Sequence, residues 1–600
     1  MKNKYYIICF LAFLLGSSSC NKDVLEKRPR NLVSELDAYG SEDGLIALTV
    51  TLYNDLQTED LDFTVATEAG FPATTTDEAV RSYPWGSINN PVMGNWYSNN
   101  DINSPYTTWQ YKAIRRVNDF ISKMENATVS EELKKRYLAE GRFIRAFHYF
   151  SMVKRYGGVP LIKEAQDVSE KIEDLAVQRN KEHEIYDFIA SELDLAAQDL
   201  PEAYNGPNDG SKKYRLTKHA ALALKSRAML YAASSAKYAP VQLDGLVGIP
   251  DNMAEGYWQA AYDAAKEIMN SGVHSLYNGD ADKAANFQKL FLTPDNPEAI
   301  FTKVYASPDK THSFDFYNAP QSFKVDYGCA TNPTLELVEA FEYIDGSPGK
   351  LKVNDAGGNP IVYSNPRDIF KDKDPRMFGS ILTPFDDWQG GILEVRRGVI
   401  NAGVKYTAEN LSDGYPETDS PFKRVGKDGP LTTNDPTKTG FYVKKFMDPV
   451  NRVNQGRSTT PWMIFRYGEV LLNYAEAAFE LNKPDDARDA INQIRERAGI
   501  AARGSINLNA IRHERRVELA FENHRYWDLR RWRTASTVLS NTQFHALYPW
   551  IMWQNGVNPA DMSYTFEVAN APKAARTFPE QLYYEPVPQG NPVYVQNPLY

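Results

Sequence analysis

The chain is poor in cysteine: Cys9, Cys20 and Cys329 are its whole complement. Cys9 sits inside an N-terminal apolar run and Cys20 directly behind it, so only Cys329 is left for the folded body and no internal disulfide can form. The motifs of common catalysis are missing as well. The sequence holds no HExxH, no paired CxxC, no GxGxxG behind a strand, no Walker loop and no GxSxG, and its eight histidines are scattered. The acidic stretches around Asp209 and Asp372 lack the spacing of a calcium loop and read as solvated turns, so neither a metal nor a cofactor is expected. Basic runs are absent and the formal net charge is −10, which argues against nucleic acid and anionic lipid as partners. Glycoside hydrolysis survives these exclusions, because it needs only two carboxylates brought together in space.

What is present begins at the amino end. Lys2 and Lys4 precede an apolar run over 5–15 and the small residues of GSSSC, a secretory leader too short to span a bilayer. Cys20 stands where a lipoprotein signal peptidase leaves an acylated first residue, although Ser17 occupies the place where that motif usually has Leu. Residues 1–19 are expected to be removed, Cys20 to carry lipid and 20–40 to serve as a tether. Each buried methylene of the acyl chains adds ~0.8 kcal/mol of anchorage. Removal of Lys2 and Lys4 takes the net charge from −10 to −12.

The clearest pattern lies over 462–533, where three consecutive helices are expected. Ile464, Tyr467, Leu471, Tyr474, Ala475 and Ala478 recur at spacings of three and four, and Gly468, Ala475 and Ala478 let a neighbour come close. Pro484, Asp485 and Asp486 open a second helix, which Arg495, Arg497 and Gly499 close. Antiparallel pairs with alanine where the faces meet are the units of tetratricopeptide-type repeats. The third helix, from about 511, is too charged for a plain core face. Glu514 and Glu518, one turn apart, are either a catalytic carboxylate pair or partners of Arg515, Arg525 and Arg531 in a partly buried ion network. The balance of charge favours the network.

Upstream, Ser41 caps the first mature helix, and Ser130 and the pair Gly157 and Gly158 bound a longer one. Trp109 recurs with Ala113 and Val117 at spacings of four and reads as a packing residue. The stretches TKHAALALKSRAMLYAASSAKY and YWQAAYDAAKEIMNSG continue the helix pairs. Two regions depart from this pattern. Residues 57–105 are rich in Asn, Gly, Pro, Ser and aromatics, and too long for a simple connector. Residues 302–461 turn to Gly, Pro, Asp and Asn with short alternating runs, which predicts loops and small strands lying on the scaffold. Phe314, Phe316, Tyr317, Phe323, Tyr327 and Trp388 look exposed there.

The ordered set FRYGEVLLNYAEA, INQIRERAGI, ERRVELAFENHRYWDLRRW and the terminal QNPLY resembles the SusD/RagB family, surface nutrient-binding lipoproteins of Gram-negative bacteria. YKAIRRVNDFI, AEGRFIRAFHYFSMVKRYGGVPLI and EAIFTKVY extend the match upstream, in the same order. The resemblance implies a mainly α fold: a tetratricopeptide-like, right-handed solenoid of helix pairs over about 41–300 and 462–540, within one domain over 41–600. The loop-rich insertion with short strands, about 302–461, would carry the ligand site. It also implies binding without catalysis at the outer membrane, facing outward. The ligand would be an oligosaccharide or polysaccharide, or in some members a peptide, handed to a SusC-like TonB-dependent transporter. An arc of loop aromatics binds ligand in the family. Carried over by region, that role falls to Trp85, Trp96, Tyr97, Phe316, Tyr317, Tyr327 and Trp388, with Trp96 first because little apolar sequence surrounds it. A surface glycan-cleaving hydrolase and a repeat protein that only holds other proteins are the rival readings.

Overall fold

The computed structural model of the protein describes residues 38–61, 71–82, 108–167, 169–171, 175–204, 213–416, 419–433, 435–590 and 592–600. Among the described residues seven helices lead: α1 Glu42–Asn54, α2 Tyr111–Met124, α3 Glu131–Tyr156, α4 Glu182–Asp199, α5 Lys218–Tyr238, α6 Ala254–Ser271 and α7 Lys283–Leu292. Three short ones follow, α8 Phe314–Asn318, α9 Leu335–Ala340 and α10 Pro375–Ser380. The series resumes with α11 Tyr467–Glu480, α12 Pro484–Ala498, α13 Leu508–Glu518 and α14 Arg525–Arg531. The caps at Ser41, Ser130, Gly157 and Gly499 are those the sequence predicts. Ser41, Ser130 and Thr217 side chains accept the amides of Gly44, Leu133 and Ala220, and Gly157 and Gly499 turn the chain out of α3 and α12 with positive φ.

Each helix from α2 to α5 packs on its successor, and α6 then packs on α11, which pairs with α12. The stack is therefore continuous in space although the chain leaves it after α6 and returns only at α11. Alanines make this closeness possible: Ala261, Ala264 and Ala265 of α6 and Ala475, Ala477 and Ala478 of α11 are all buried. Tyr262 stacks on Tyr474 across the same contact at 4.6 Å. Much of the intervening segment shares the core of the stack, although Val399 packs in a small separate cluster with Ile551, Trp553 and Met562. Phe370, Ile381, Trp388 and Phe441 join the buried cluster that holds Leu222 and Leu471. Trp109 packs as expected, its ring 5.3 Å from Tyr156 and 5.8 Å from Tyr594.

Three features differ from the sequence reading. Residues Trp462–Arg466 form a strand antiparallel to Ala299–Lys303, so α11 begins only at Tyr467. The third expected helix is broken: α13 stops at Glu518, Phe521 and Asn523 take left-handed φ of 64° and 62°, and α14 starts at Arg525. That turn carries Glu522 inward to Lys445 and Arg466. Finally, strands Thr542–Trp553 and Ser563–Arg576 form a long hairpin, joined by Gly398–Asn401 and Val404–Thr407 into a four-stranded sheet. Its first strand is buried on both faces over most of its length, so the alternation that announces a strand is absent.

Candidate ligand-binding site

The short helix α8 holds Phe316 and Tyr317, and the loop behind it folds back to bring Tyr327 alongside. Ring centroids lie 5.2 Å apart for Phe316 and Tyr317, 5.9 Å for Phe316 and Tyr327, and 6.2 Å for Tyr317 and Tyr327. The return of the loop depends on backbone contacts. The amides of Cys329 and Ala330 donate to the carbonyls of Ala319 and Tyr317 at 2.9 and 2.8 Å. Gly328 passes so near that a Cβ there would meet the Ala319 oxygen at 2.5 Å, which only glycine avoids. Exposure is graded across the three rings: Phe316 is 5% exposed, Tyr317 half-buried and Tyr327 45% exposed. The cluster is a buried ring supporting an open one.

A polar loop over 448–457 flanks these rings. Gln455 Nε2 donates to the Tyr317 hydroxyl at 3.1 Å, the Gly456 amide donates to Ser313 Oγ at 3.0 Å, and the Arg452 guanidinium sits 5.6 Å over Phe323. Gln389 secures the loop by donating to the carbonyls of Asp448 and Asn451 at 2.8 and 2.6 Å. Burial pushes the Asp448 carboxyl up, but hydrogen bonds from Asn451 and Val450 outweigh this and hold it below the usual range. Asp448 is thus an anionic acceptor, not an acid poised to give a proton. An open aromatic face beside amides, a guanidinium and carbonyls suits a ring with one apolar side and hydroxyls at its edge.

The structure sorts the aromatics predicted for this site. Phe316, Tyr317 and Tyr327 come together. Trp388 does not join them: it is 3% exposed, in the hairpin Asp387–Trp388/Gly391–Ile392, and offers no ring face to a ligand. Phe314 and Phe323, which look exposed in the sequence, are buried as well. Phe71 and Phe446, distant in sequence, pack on the Phe314 ring. Trp85, Trp96 and Tyr97 lie outside the described residues, as does Cys20. Gln455 and Arg452 were missed because nothing in the sequence links a polar loop to rings more than a hundred residues away. Trp388→Ala is expected to lower stability by about 3 kcal/mol through the cavity it leaves, as for other buried aromatics. Its unfolding midpoint checks this.

Glu514 and Glu518 are fully buried and fully engaged. Arg376 Nη1 reaches Glu514 Oε1 at 2.7 Å and Glu518 Oε2 at 2.9 Å, and Arg495 meets Glu514 at 2.9 Å. Arg466 Nη1 bonds Glu298 at 2.6 Å and Glu518 at 2.8 Å, and Arg497 pairs with Glu298 and Glu518. Burial raises both carboxyls, but the surrounding guanidiniums prevail: Glu514 is lowered, and Glu518 is held well below the ordinary range. A general acid needs the opposite shift, and neither group touches solvent. The network reading is right in kind and wrong in its partners. Arg515 pairs with Asp528, Arg525 with Asp77, and Arg531 with Glu476 and Asp528. Gly468 earns its place here, since a Cβ on it would come 2.3 Å from the Arg466 guanidinium.

Comparison with known families matches residues 297–600 to the model described as "SusD family", and residues 46–230 to one described as "Starch-binding associating with outer membrane". The chain belongs to the SusD family. A curated SusD-like protein P25 of Formosa agariphila is 25% identical over 570 residues, covering 90% of this chain and 92% of its own. A solved SusD-like protein of Bacteroides fragilis aligns with a TM-score of 0.69 at 25% identity, covering 95% of this chain and 100% of its own. A second structure from that organism, named a SusD-like carbohydrate binding protein, gives 0.67 at 22%, covering 92% and 98%. Arg466, Arg495, Arg497, Glu514, Glu518 and Glu522, all in stretches that carry the SusD resemblance, belong to the buried network, alongside Arg376 and Lys445 of the insertion. These motifs lie on the scaffold elements, while the open aromatics lie in the insertion.

Proposed function

We propose that this SusD-family chain is an outward-facing outer-membrane lipoprotein, anchored through Cys20. It binds an oligosaccharide or polysaccharide on the Phe316–Tyr317–Tyr327 cluster and hands it to a SusC-like TonB-dependent transporter. The observation that carries the reading is the open Tyr327 ring, backed by two others and flanked by hydrogen-bonding groups. Burying such a face against the C–H side of a sugar recovers free energy that water cannot supply. Likeness to a fold whose solved members include a named carbohydrate binder supports the ligand class, and the outer-membrane wording of the matched family model supports the location. In this reading the protein binds and does not cleave, in keeping with the sealed state of Glu514 and Glu518.

The test combines cell fractionation with ligand screening. The wild-type protein should partition with outer membranes, and Cys20→Ala should release it or leave it unprocessed. Gently solubilised native protein should bring a large barrel protein with it. The purified mature chain should bind at least one member of a glycan panel, and the bound sugar should be recovered intact. Unchanged fractionation of Cys20→Ala, a protein that migrates alone, or a shortened sugar would each remove the corresponding part of the reading.

A further inference from the structure

A cleft of about 360 Å³ opens where the chain enters α5 and where the turn after α7 meets the strand Ala299–Lys303. Tyr204, Lys213, Tyr214, Val273, Asp295 and Phe301 line it, and it shares no residue with the aromatic cluster above. Its volume falls in the range of about 300–1,000 Å³ typical of small-ligand sites.

The walls are fixed from outside the cleft. Thr217 caps α5, and the Tyr204 hydroxyl donates to the Leu216 carbonyl at 3.3 Å. Asn296 ties the opposite wall: its amide donates to the carbonyls of Leu290 and Thr293, and its oxygen accepts the amides of Glu298 and Ala299. Arg215 is held from behind by Glu140 and Thr49. At the rim, Asp295 receives the Tyr214 hydroxyl at 2.7 Å and the Lys213 ammonium at 2.7 Å.

This arrangement selects by chemistry. Lys213 is neutralised by Asp295, and Arg215 by Glu140, so the cleft has no excess cation to draw a phosphate or carboxylate. The adjoining His274 adds none: burial holds its imidazole near 4, neutral at physiological pH. Both tyrosine hydroxyls already have acceptors, which leaves their rings as the part on offer, together with Val273 at 42% exposure. The Lys213–Asp295 pair is half open and presents a donor and an acceptor at a set spacing.

We propose that this cleft is a second binding site, for a short segment of a neutral saccharide lying on Tyr204 and Tyr214 with its hydroxyls on Lys213 and Asp295. The ligand class rests on the glycan reading above, whereas the location rests on this geometry alone. A chain long enough to touch both places would gain avidity from the pair.

Isothermal titration with hexasaccharides of β-1,3-glucan, α-1,4-glucan, β-1,4-xylan and β-1,4-mannan tests it on the whole mature protein. Two sites are expected for the best ligand. The variant carrying Tyr317→Ala and Tyr327→Ala should keep one, and adding Tyr214→Ala should weaken that remaining site by about tenfold or more, with the unfolding midpoint unchanged. Lys213→Ala, which spares both rings, should weaken it less. A single site abolished by Tyr327→Ala and untouched by Tyr214→Ala overturns this inference and leaves the aromatic-cluster reading intact. A single site lost with Tyr214→Ala and indifferent to Tyr327→Ala does the reverse. Absence of saturable binding to all four sugars at millimolar concentration overturns both.

Discussion

Glu518→Ala is expected to lower the stability of the folded chain by about 3–5 kcal/mol, the range for breaking a buried ion pair by removing one partner. The carboxylate is reached by guanidiniums from three directions: Arg376 from the insertion, Arg466 from the strand before α11, and Arg497 from α12. Truncation strands three buried cations beside the carboxylates that remain, Glu298, Glu514 and Glu522, which are already shared. Chemical denaturation of the two proteins side by side measures the difference. A loss below about 1 kcal/mol would show that the network does not hold the insertion to the scaffold. Arg488→Ala is the control. Its partners Asp485 and Asp489 are exposed, and its removal should leave the midpoint unmoved.

The same network sets an acid limit. Burial raises the Glu518 carboxyl, the guanidiniums lower it further, and the net result lies well below the ordinary value. Glu476 behaves alike: burial is outweighed by Arg531, Arg515 and Trp532, which bring it to about 2. A carboxyl whose folded pKa is depressed adds stability that is fully present above its unfolded pKa, about 4.3 for Glu, and lost as pH falls toward the folded value. Stability should therefore be flat in this respect above pH 5 and fall between about pH 4.3 and pH 2. In Glu518→Gln the fall should be shallower, because one of the titrating groups is gone.

Tyr327→Ala should weaken binding of the best glycan by about 2 kcal/mol, roughly thirtyfold in Kd, without moving the unfolding midpoint. The ring is 45% exposed and little of the core rests on it, so its loss costs affinity and not structure. Phe316→Ala should do both, since that ring is buried beneath the other two and its removal leaves a cavity as well as a collapsed support. Titration calorimetry beside thermal unfolding separates the cases. Intact affinity in Tyr327→Ala would place the ligand elsewhere.

The helices were legible where the chain announces them locally. Ser41, Ser130 and Pro484 mark starts, Gly157 and Gly499 mark stops, and alanine at the contact faces marks the pairs; all of these act within a turn or two of their own position. The break between α13 and α14 was not legible. Phe521 and Asn523 take left-handed φ in a turn that lets Glu522 bond Lys445, a demand set from 77 residues away. The proposed aromatic cluster falls in one of the two regions the sequence singles out, but which of its rings stay open was not legible. A loop aromatic reads the same in sequence whether it is covered, like Trp388, or open, like Tyr327.

What this sequence determined by itself is the set of helix pairs, their caps, and the family whose charged motifs recur in order, because helix periodicity and capping are short-range interactions. Only the tertiary structure decided which charges neutralise one another and which rings stay open. Arg376 meets Glu518 across 142 residues of chain, and Gln455 meets Tyr317 across 138. The burial of a side chain depends on whatever folds over it, and for these residues that is chain from far outside their own stretch.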